Sequence, residues 1–217
     1  MNAQINTLNT QQKGLAAIAA LTAVGDLEKL KNELNTALDA ELTINEIKEA
    51  LVQLYAYCGF PRSLNALGTF QTILDERKTK GITDKVGKEI VVENNVPDKY
   101  EQGRKVLETL TKTPQSKPAK GFGEFAPRID AFLKEHLFAD IFVSDVLTFL
   151  QRELITISAL ASMSGTAGQL QAHIGMGINT GLTENQLIQA FDLIEKHIGK
   201  KQADEAKSIL SKTVSKQ

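Results

Sequence analysis

Val146-Leu-Thr-Phe-Leu-Gln-Arg-Glu-Leu-Ile-Thr-Ile-Ser-Ala-Leu-Ala-Ser-Met163 is apolar on nearly every side of a helical wheel. A helix of that kind lies inside a protein rather than on its surface. Glu153 shares a face of this helix with Leu150, Ile157 and Leu160, so its carboxylate is directed into apolar surroundings. An ionised carboxylate without a partner is costly there, and it must either keep its proton or meet a donor. Arg152 beside it and His173 on the next helix are the candidate donors. A carboxylate so placed marks either a functional site or a structural ion pair, and the spacing leaves both open.

Working outward, a shift of 140 residues aligns the two ends of the chain without a gap. Gly25 falls on Gly165, Leu30 on Leu170, Leu42-Thr43 on Leu182-Thr183, and Gly59 on Gly199. The apolar positions between these identities agree as well, so the pattern predicts one fold written twice. Leu15-Ala-Ala-Ile-Ala-Ala-Leu-Thr-Ala-Val-Gly25, which could pass for a signal-peptide core behind Lys13, overlays the buried stretch Leu154 to Gly165. It therefore reads as a core helix, with the cytoplasm as the default location.

Each copy predicts three helices. Ile44, Ile47, Leu51, Leu54 and Cys58 recur at helical spacing, as do Leu187, Phe191, Ile194 and Ile198. Thr43 and Thr183 stand just ahead of those runs, where a hydroxyl accepts from an orphan amide. Pro61 opens the helix that carries Ser63 to Glu76. The predicted units are residues 1–77, a connector over 78–125, and residues 126–217. The connector holds a helix over about Asp98 to Thr111 and an exposed, mobile loop over Thr113 to Phe125. Helix resumes at Asp130 to Leu137, with Phe132 and Leu133 expected to pack inward. Glu89-Ile-Val-Val-Glu93 is the single, short strand candidate. The predicted fold class is all-α.

A net charge of −1 lacks the basic excess of a nucleic-acid binder. No apolar run approaches the roughly 20 residues of a membrane span. Cys58 is the single cysteine, so there is no intrachain disulfide and no CxxC pair. With three histidines beside it, little material remains for a metal site, and neither a metal nor a cofactor is expected.

His173 lies on an apolar helix face with Leu170, Ile174 and Gly177. It is either a satisfied core histidine or the partner of Glu153. A buried acid and imidazole on adjacent antiparallel helices share one proton, as general acid–base chemistry near neutral pH requires. His136 and His197 show no such partner in the sequence. Cys58 reads as a small buried hydrophobe or, with a neighbouring base, as a nucleophile. Tyr55 and Tyr57 are packing residues or hydroxyl donors in a pocket.

The strings Arg152-Glu-Leu-Ile-Thr-Ile-Ser-Ala-Leu-Ala161, Gln169-Leu-Gln-Ala-His173 and Gly181-Leu-Thr-Glu-Asn-Gln-Leu187 resemble the carboxymuconolactone decarboxylase family, as does Leu137-Phe-Ala-Asp-Ile141 upstream. Leu42-Thr-Ile-Asn-Glu-Ile-Lys-Glu-Ala-Leu51 and Tyr57-Cys-Gly-Phe-Pro61 resemble its second motif block. The resemblance implies an all-helical fold of the alkylhydroperoxidase D type, in two tandem copies, assembling as a homo-oligomer, with a trimer favoured. It implies a small-molecule enzyme in which Glu153 and His173 are the functional pair. Arg152, Tyr57 and Cys58 are then candidates for substrate binding. The early copy has Lys13 and Glu33 at the positions of the pair, and the late copy has Lys200-Lys201 where Phe60-Pro61 stand.

Two departures narrow the expected activity. Gly165-Thr-Ala-Gly168 replaces the CxxC of the peroxidase branch, so a dithiol mechanism has no resolving cysteine. Phe142-Val-Ser144 stands where the decarboxylases tend to carry an arginine. The expectations are decarboxylation of a lactone acid by the Glu153–His173 pair, an antioxidant reaction through Cys58 alone, or a non-catalytic binding module of the same fold.

Overall fold

Asn9 and Thr148 begin the two central helices in the same way. Each side chain accepts from the amide three residues on, and Gln12 or Gln151 returns a bond to the cap's own amide. Such reciprocal capping satisfies two orphan donors at once. The computed structural model describes residues 6–215. The first half comprises α1 (Thr10–Val24), α2 (Leu27–Asp39), α3 (Ile44–Gln53), α4 (Tyr55–Cys58) and α5 (Phe60–Thr79). Then come α6 (Lys99–Thr111), α7 (Phe122–Phe125), α8 (Pro127–Ala131) and a π-helix over Phe132–Ile141. The second half comprises α9 (Phe149–Ser162), α10 (Ala167–Asn179), α11 (Glu184–His197) and α12 (Lys200–Val214). The described residues contain no strand, and the fold is all-α.

At the centre α1 lies along α9, and the remaining helices pack around this pair in matching fashion. As α2 packs on α1 and α5, so α10 packs on α9 and α12. Opposite faces of α1 serve two cores. Leu15, Ile18 and Leu21 join Leu30, Leu34, Leu51, Phe70 and Ile155. Ala16 and Ala20 join Leu154, Ile157, Leu160, Ile174 and Phe191. Truncating a leucine such as Leu21, with no exposed surface, costs about 2–5 kcal/mol.

The helix starts recur at the 140-residue shift: Leu27 and Ala167, Ile44 and Glu184, Phe60 and Lys200. The turns recur with them. Gly25 and Gly165 both adopt the left-handed conformation, with φ of 77° and 81°, where a side chain would be strained. Thr43 and Thr183 cap α3 and α11 by the same reciprocal bonds, to Glu46 and Gln186.

Four expectations are corrected. The run from Ile44 to Cys58 is not one helix, because α3 ends at Gln53 and α4 begins after Leu54. Residues 89–93 form no strand. The adjoining segment is instead tied to the start of α3, where Ile44, Asn45 and the Asn45 side chain donate to the carbonyls of Lys85, Val86 and Lys88.

Phe132 does not pack inward; it is 58% exposed, while Lys134 beneath it is buried. The cause is the π-helix, whose i→i+5 bonding rotates successive side chains away from the positions a 3.6-residue wheel assigns. Lys134 donates to Asp130 at 2.8 Å, to Tyr100 at 2.9 Å and to the Ser116 carbonyl at 3.0 Å. Finally, the 113–125 stretch is largely exposed but anchored: Ser116 is held by Lys134, Gln115 by Glu108 at 2.9 Å, and its end forms α7.

Candidate active site

The sequence places Glu153 near the middle of a buried helix, and there it has no exposed surface. Its Oε2 lies 2.8 Å from His173 Nδ1, across the packed pair α9 and α10. A carboxylate only accepts, so the proton between them belongs on Nδ1. That assignment leaves the lone pair of a neutral imidazole on Nε2. Among the described residues Nε2 has no hydrogen-bond partner, and His173 retains 8% exposure. A buried acid therefore fixes the tautomer and orientation of a histidine whose other nitrogen is free.

The close approach of α10 depends on Gly177, one helical turn beyond His173 on the same face. A Cβ there would come within 2.8 Å of Ile157 Cδ1 and 3.1 Å of Leu182 Cδ1. A larger residue there would press on these two terminal methyl groups, in the interface that also holds the Glu153 Cβ at 3.8 Å.

Tyr57 arrives from the other half of the chain. Its ring meets the His173 imidazole edge-on, with centroids 5.5 Å apart and planes at 80°. Its hydroxyl is fully buried without a well-formed hydrogen bond, and so is Oε1 of Glu153. Burial pushes the Tyr57 phenol far above its ordinary value, and the Glu153 charge pushes in the same direction. The neighbouring Thr156 hydroxyl offsets only part of this. Buried polar groups are nearly always satisfied, and Arg152 Nε, next to Glu153 in the chain, is a third buried atom without a partner.

Arg152, adjacent in sequence, is taken up differently. Its terminal nitrogens donate to Gln53 at 2.9 Å, to Glu49 at 3.0 Å and to the Ser144 carbonyl at 2.8 Å. Gln53 in turn donates to the Arg152 carbonyl and to the Thr156 hydroxyl, both at 2.9 Å. Burial pulls the guanidinium below its ordinary value while Glu49 pulls it back. The structure thus joins Arg152 to α3 and does not hydrogen-bond it to Glu153 or His173. Glu49 and Gln53 escaped the sequence reading because they lie about a hundred residues away, on a face that reads as ordinary amphipathic helix.

Cys58 also turns away from the pair. Its thiol donates to the Leu54 carbonyl at 3.2 Å and packs on the core of the first half, whereas Tyr57 packs on the second. Burial raises the thiol above its ordinary value, against a smaller effect from Arg62. Of the other histidines, His136 pairs with Asp140 at 3.0 Å, a partner one turn away that the sequence reading passed over. His197 is buried with Nε2 3.8 Å from Glu33. A groove of about 880 Å³ opens elsewhere, between α3, α5 and the connector, walled by Val52, Leu64, Phe70, Val92 and Ile141. It reaches Glu49 and Ser144 but not Glu153, His173 or Tyr57.

No grouping of histidine, cysteine, aspartate and glutamate among the described residues could hold a metal ion. None of the described helices is long and apolar enough to cross a membrane. No curated protein matches the chain. Residues 2–72, less than half of the chain, match the model of the carboxymuconolactone decarboxylase family, a stretch that contains Tyr57 to Pro61 and ends long before Glu153.

Proposed function

We propose that the chain is a small-molecule enzyme of the carboxymuconolactone decarboxylase type that moves a proton at a carbon next to a carbonyl. In this proposal the chain is a tandem duplication, the late copy supplies the acid–base pair, and the early copy's turn covers it with Tyr57. The observation that carries the proposal is the 2.8 Å contact between His173 Nδ1 and a carboxylate with no exposed surface. Nε2 is the proton-transferring atom, and Glu153 orients the ring and stabilises it when it becomes charged. Loss of carbon dioxide from a lactone acid belongs to this class. The departing group leaves an electron pair that the lactone carbonyl delocalises, and His173 returns a proton to carbon.

Peroxide reduction through Cys58 has less support, because burial raises the thiol and a reactive thiolate needs the opposite shift. Arg152 acts as a brace between the halves, holding α9 to α3. We assign the assembly as a trimer, to be checked by light scattering.

The test is solvent deuterium uptake at the acidic carbon of α-angelica lactone, a neutral unsaturated lactone, followed by NMR. The wild type should accelerate uptake, and His173→Ala and Glu153→Gln should each lose about 10²- to 10⁴-fold of the acceleration. No acceleration by the wild type, or none lost in His173→Ala, overturns the proposal.

A further inference from the structure

We infer that the groove between α3, α5 and the connector is a second binding site, for an uncharged aliphatic alcohol whose hydroxyl is received by His136. The groove does not reach Glu153 or His173, so the inference goes beyond the acid–base reading and stands without it.

Three observations carry it. First, the groove holds about 880 Å³ and its walls are mainly aliphatic, with Leu64, Leu67 and Leu74 from α5, Val52 from α3, and Ile90 and Val92 from the connector. A space of this size, apolar with a few polar groups, is the usual form of a small-molecule site. Second, α5 carries Gly68 in this wall. Glycine weakens a helix interior, and packing does not require it here, because a Cβ built on Gly68 meets nothing within 4 Å. The missing side chain leaves room in the groove. Third, His136 and Asp140 line the groove together. Asp140 accepts from Lys99 at 2.8 Å and lies 3.0 Å from His136 Nδ1. A carboxylate only accepts, so the proton between them sits on Nδ1. That leaves Nε2, which has no partner among the described residues, as an acceptor.

The charges on the walls select the head group. Glu49 is paired with Arg152 at 3.0 Å, and Asp140 with Lys99 at 2.8 Å. Lys48 and Asp75 remain, one of each sign and both exposed, where a charge is screened and contributes little. A carboxylate or an ammonium entering the groove would give up hydration without gaining a buried counter-charge. A hydroxyl loses less and fits better, because it donates to Nε2 while its oxygen still accepts from water at the open side. The aliphatic chain then lies against the leucine and valine walls and gains from leaving water. The event is binding alone; no bond is made or broken.

The test titrates decan-1-ol, decyl methyl ether, decanoate and decylammonium against the full chain by calorimetry, each below its solubility limit. Decan-1-ol should bind saturably at one site per chain. The ether, which cannot donate, should bind about three- to tenfold more weakly, the worth of one hydrogen bond. Decanoate and decylammonium should both bind more weakly than the alcohol. Gly68→Phe puts a ring into the groove and should abolish binding, and His136→Ala should bind the alcohol no better than the ether. Both positions are exposed, so both variants should fold, which melting curves check. Should Gly68→Phe melt lower than wild type, Leu64→Glu, exposed on the same helix, takes its place. The inference is overturned if decan-1-ol does not saturate, if a charged head binds as tightly, or if Gly68→Phe leaves the affinity unmoved. An alcohol that keeps its lead over the ether in His136→Ala overturns it too. So does a smaller assembly of Gly68→Phe in light scattering, which would make the groove an interface between copies of this chain.

Discussion

The late half of the chain and the early half share a frame but not the residues that fill it. Shifted by 140 residues, Tyr57 against His173 becomes His197 against Glu33, and both contacts exist, at 5.5 Å between rings and 3.8 Å between atoms. Glu153 becomes Lys13. The late residue has no exposed surface, whereas Lys13 is exposed. In each half, then, a turn from the other half covers the second helix, and the early half fills that frame with Lys13 and Glu33, which reach solvent, beside a His197 as buried as His173. The frame is a property of helix packing; only in the late half does it bring a histidine to a fully enclosed acid.

Exchanging the residues across the halves should give very unequal results. Glu153→Lys puts an ammonium where no acid can meet it and strips His173 of its anchor. Removing one member of a buried polar pair and reversing the charge should cost about 3–5 kcal/mol in urea denaturation. Lys13→Glu, on the exposed counterpart, should stay within about 0.5 kcal/mol. Similar costs at the two positions would mean that Glu153 is not enclosed as the contacts with His173 require.

A smaller contrast concerns how closely the helices approach. Gly177 faces Ile157 and Leu182, and the shift carries it to Ala37, which faces Gly14 at 3.2 Å from a Cβ built there. The small residue thus sits on the outer helix in one half and on the central helix in the other. Gly177→Ala should cost about 1–3 kcal/mol by overpacking and should slow lactone exchange, because the added methyl presses on Ile157 in the interface that also holds Glu153. Ala37→Gly should cost about 1 kcal/mol, from helix propensity, and leave exchange unchanged. If Gly177→Ala is destabilised but exchanges at the wild-type rate, the spacing of α9 and α10 does not set the geometry of the pair.

The residues whose burial follows from a regular period were legible in the sequence. The wheel of residues 146–163 required a buried helix and an enclosed Glu153, but left Arg152 and His173 both open as its partner. Thr43 and Thr183 were legible as caps because that chemistry is local. The partners of Arg152 were not, since Glu49 and Gln53 owe their role to a crossing of α3 and α9 that no local pattern encodes. The role of Tyr57 stayed open for the same reason. The region around Phe132 was misread because the π-helix changes the period on which any wheel depends, so a lysine is buried where a phenylalanine was expected. Burial of Lys134 needs Asp130, Tyr100 and Ser116 together, and the sequence shows them only as scattered polar residues.

The smallest expected effect lies at the early counterpart of Tyr57. Burial lowers His197 below the ordinary histidine value, and Glu33 opposes this only in part, while Lys196 and Lys29 act with burial. The fold therefore holds a neutral imidazole that the unfolded chain would protonate below about pH 6.5. The unfolded state then binds more protons, so this group favours the fold above the unfolded value and works against it as the pH falls. His197→Gln keeps a polar side chain of similar reach and removes the titration. Wild type should lose thermal stability between pH 7.5 and 5.5 by more than the variant does. Tyr57→Phe should not change that slope, because its phenol does not titrate in this range. A slope equal in wild type and His197→Gln would show that Glu33 fully offsets burial, and a smaller loss in wild type than in the variant would show that Glu33 holds the imidazole charged at this distance. The early half would then contain an ion pair where the late half has its tyrosine, and the two frames would differ in electrostatics as well as in exposure.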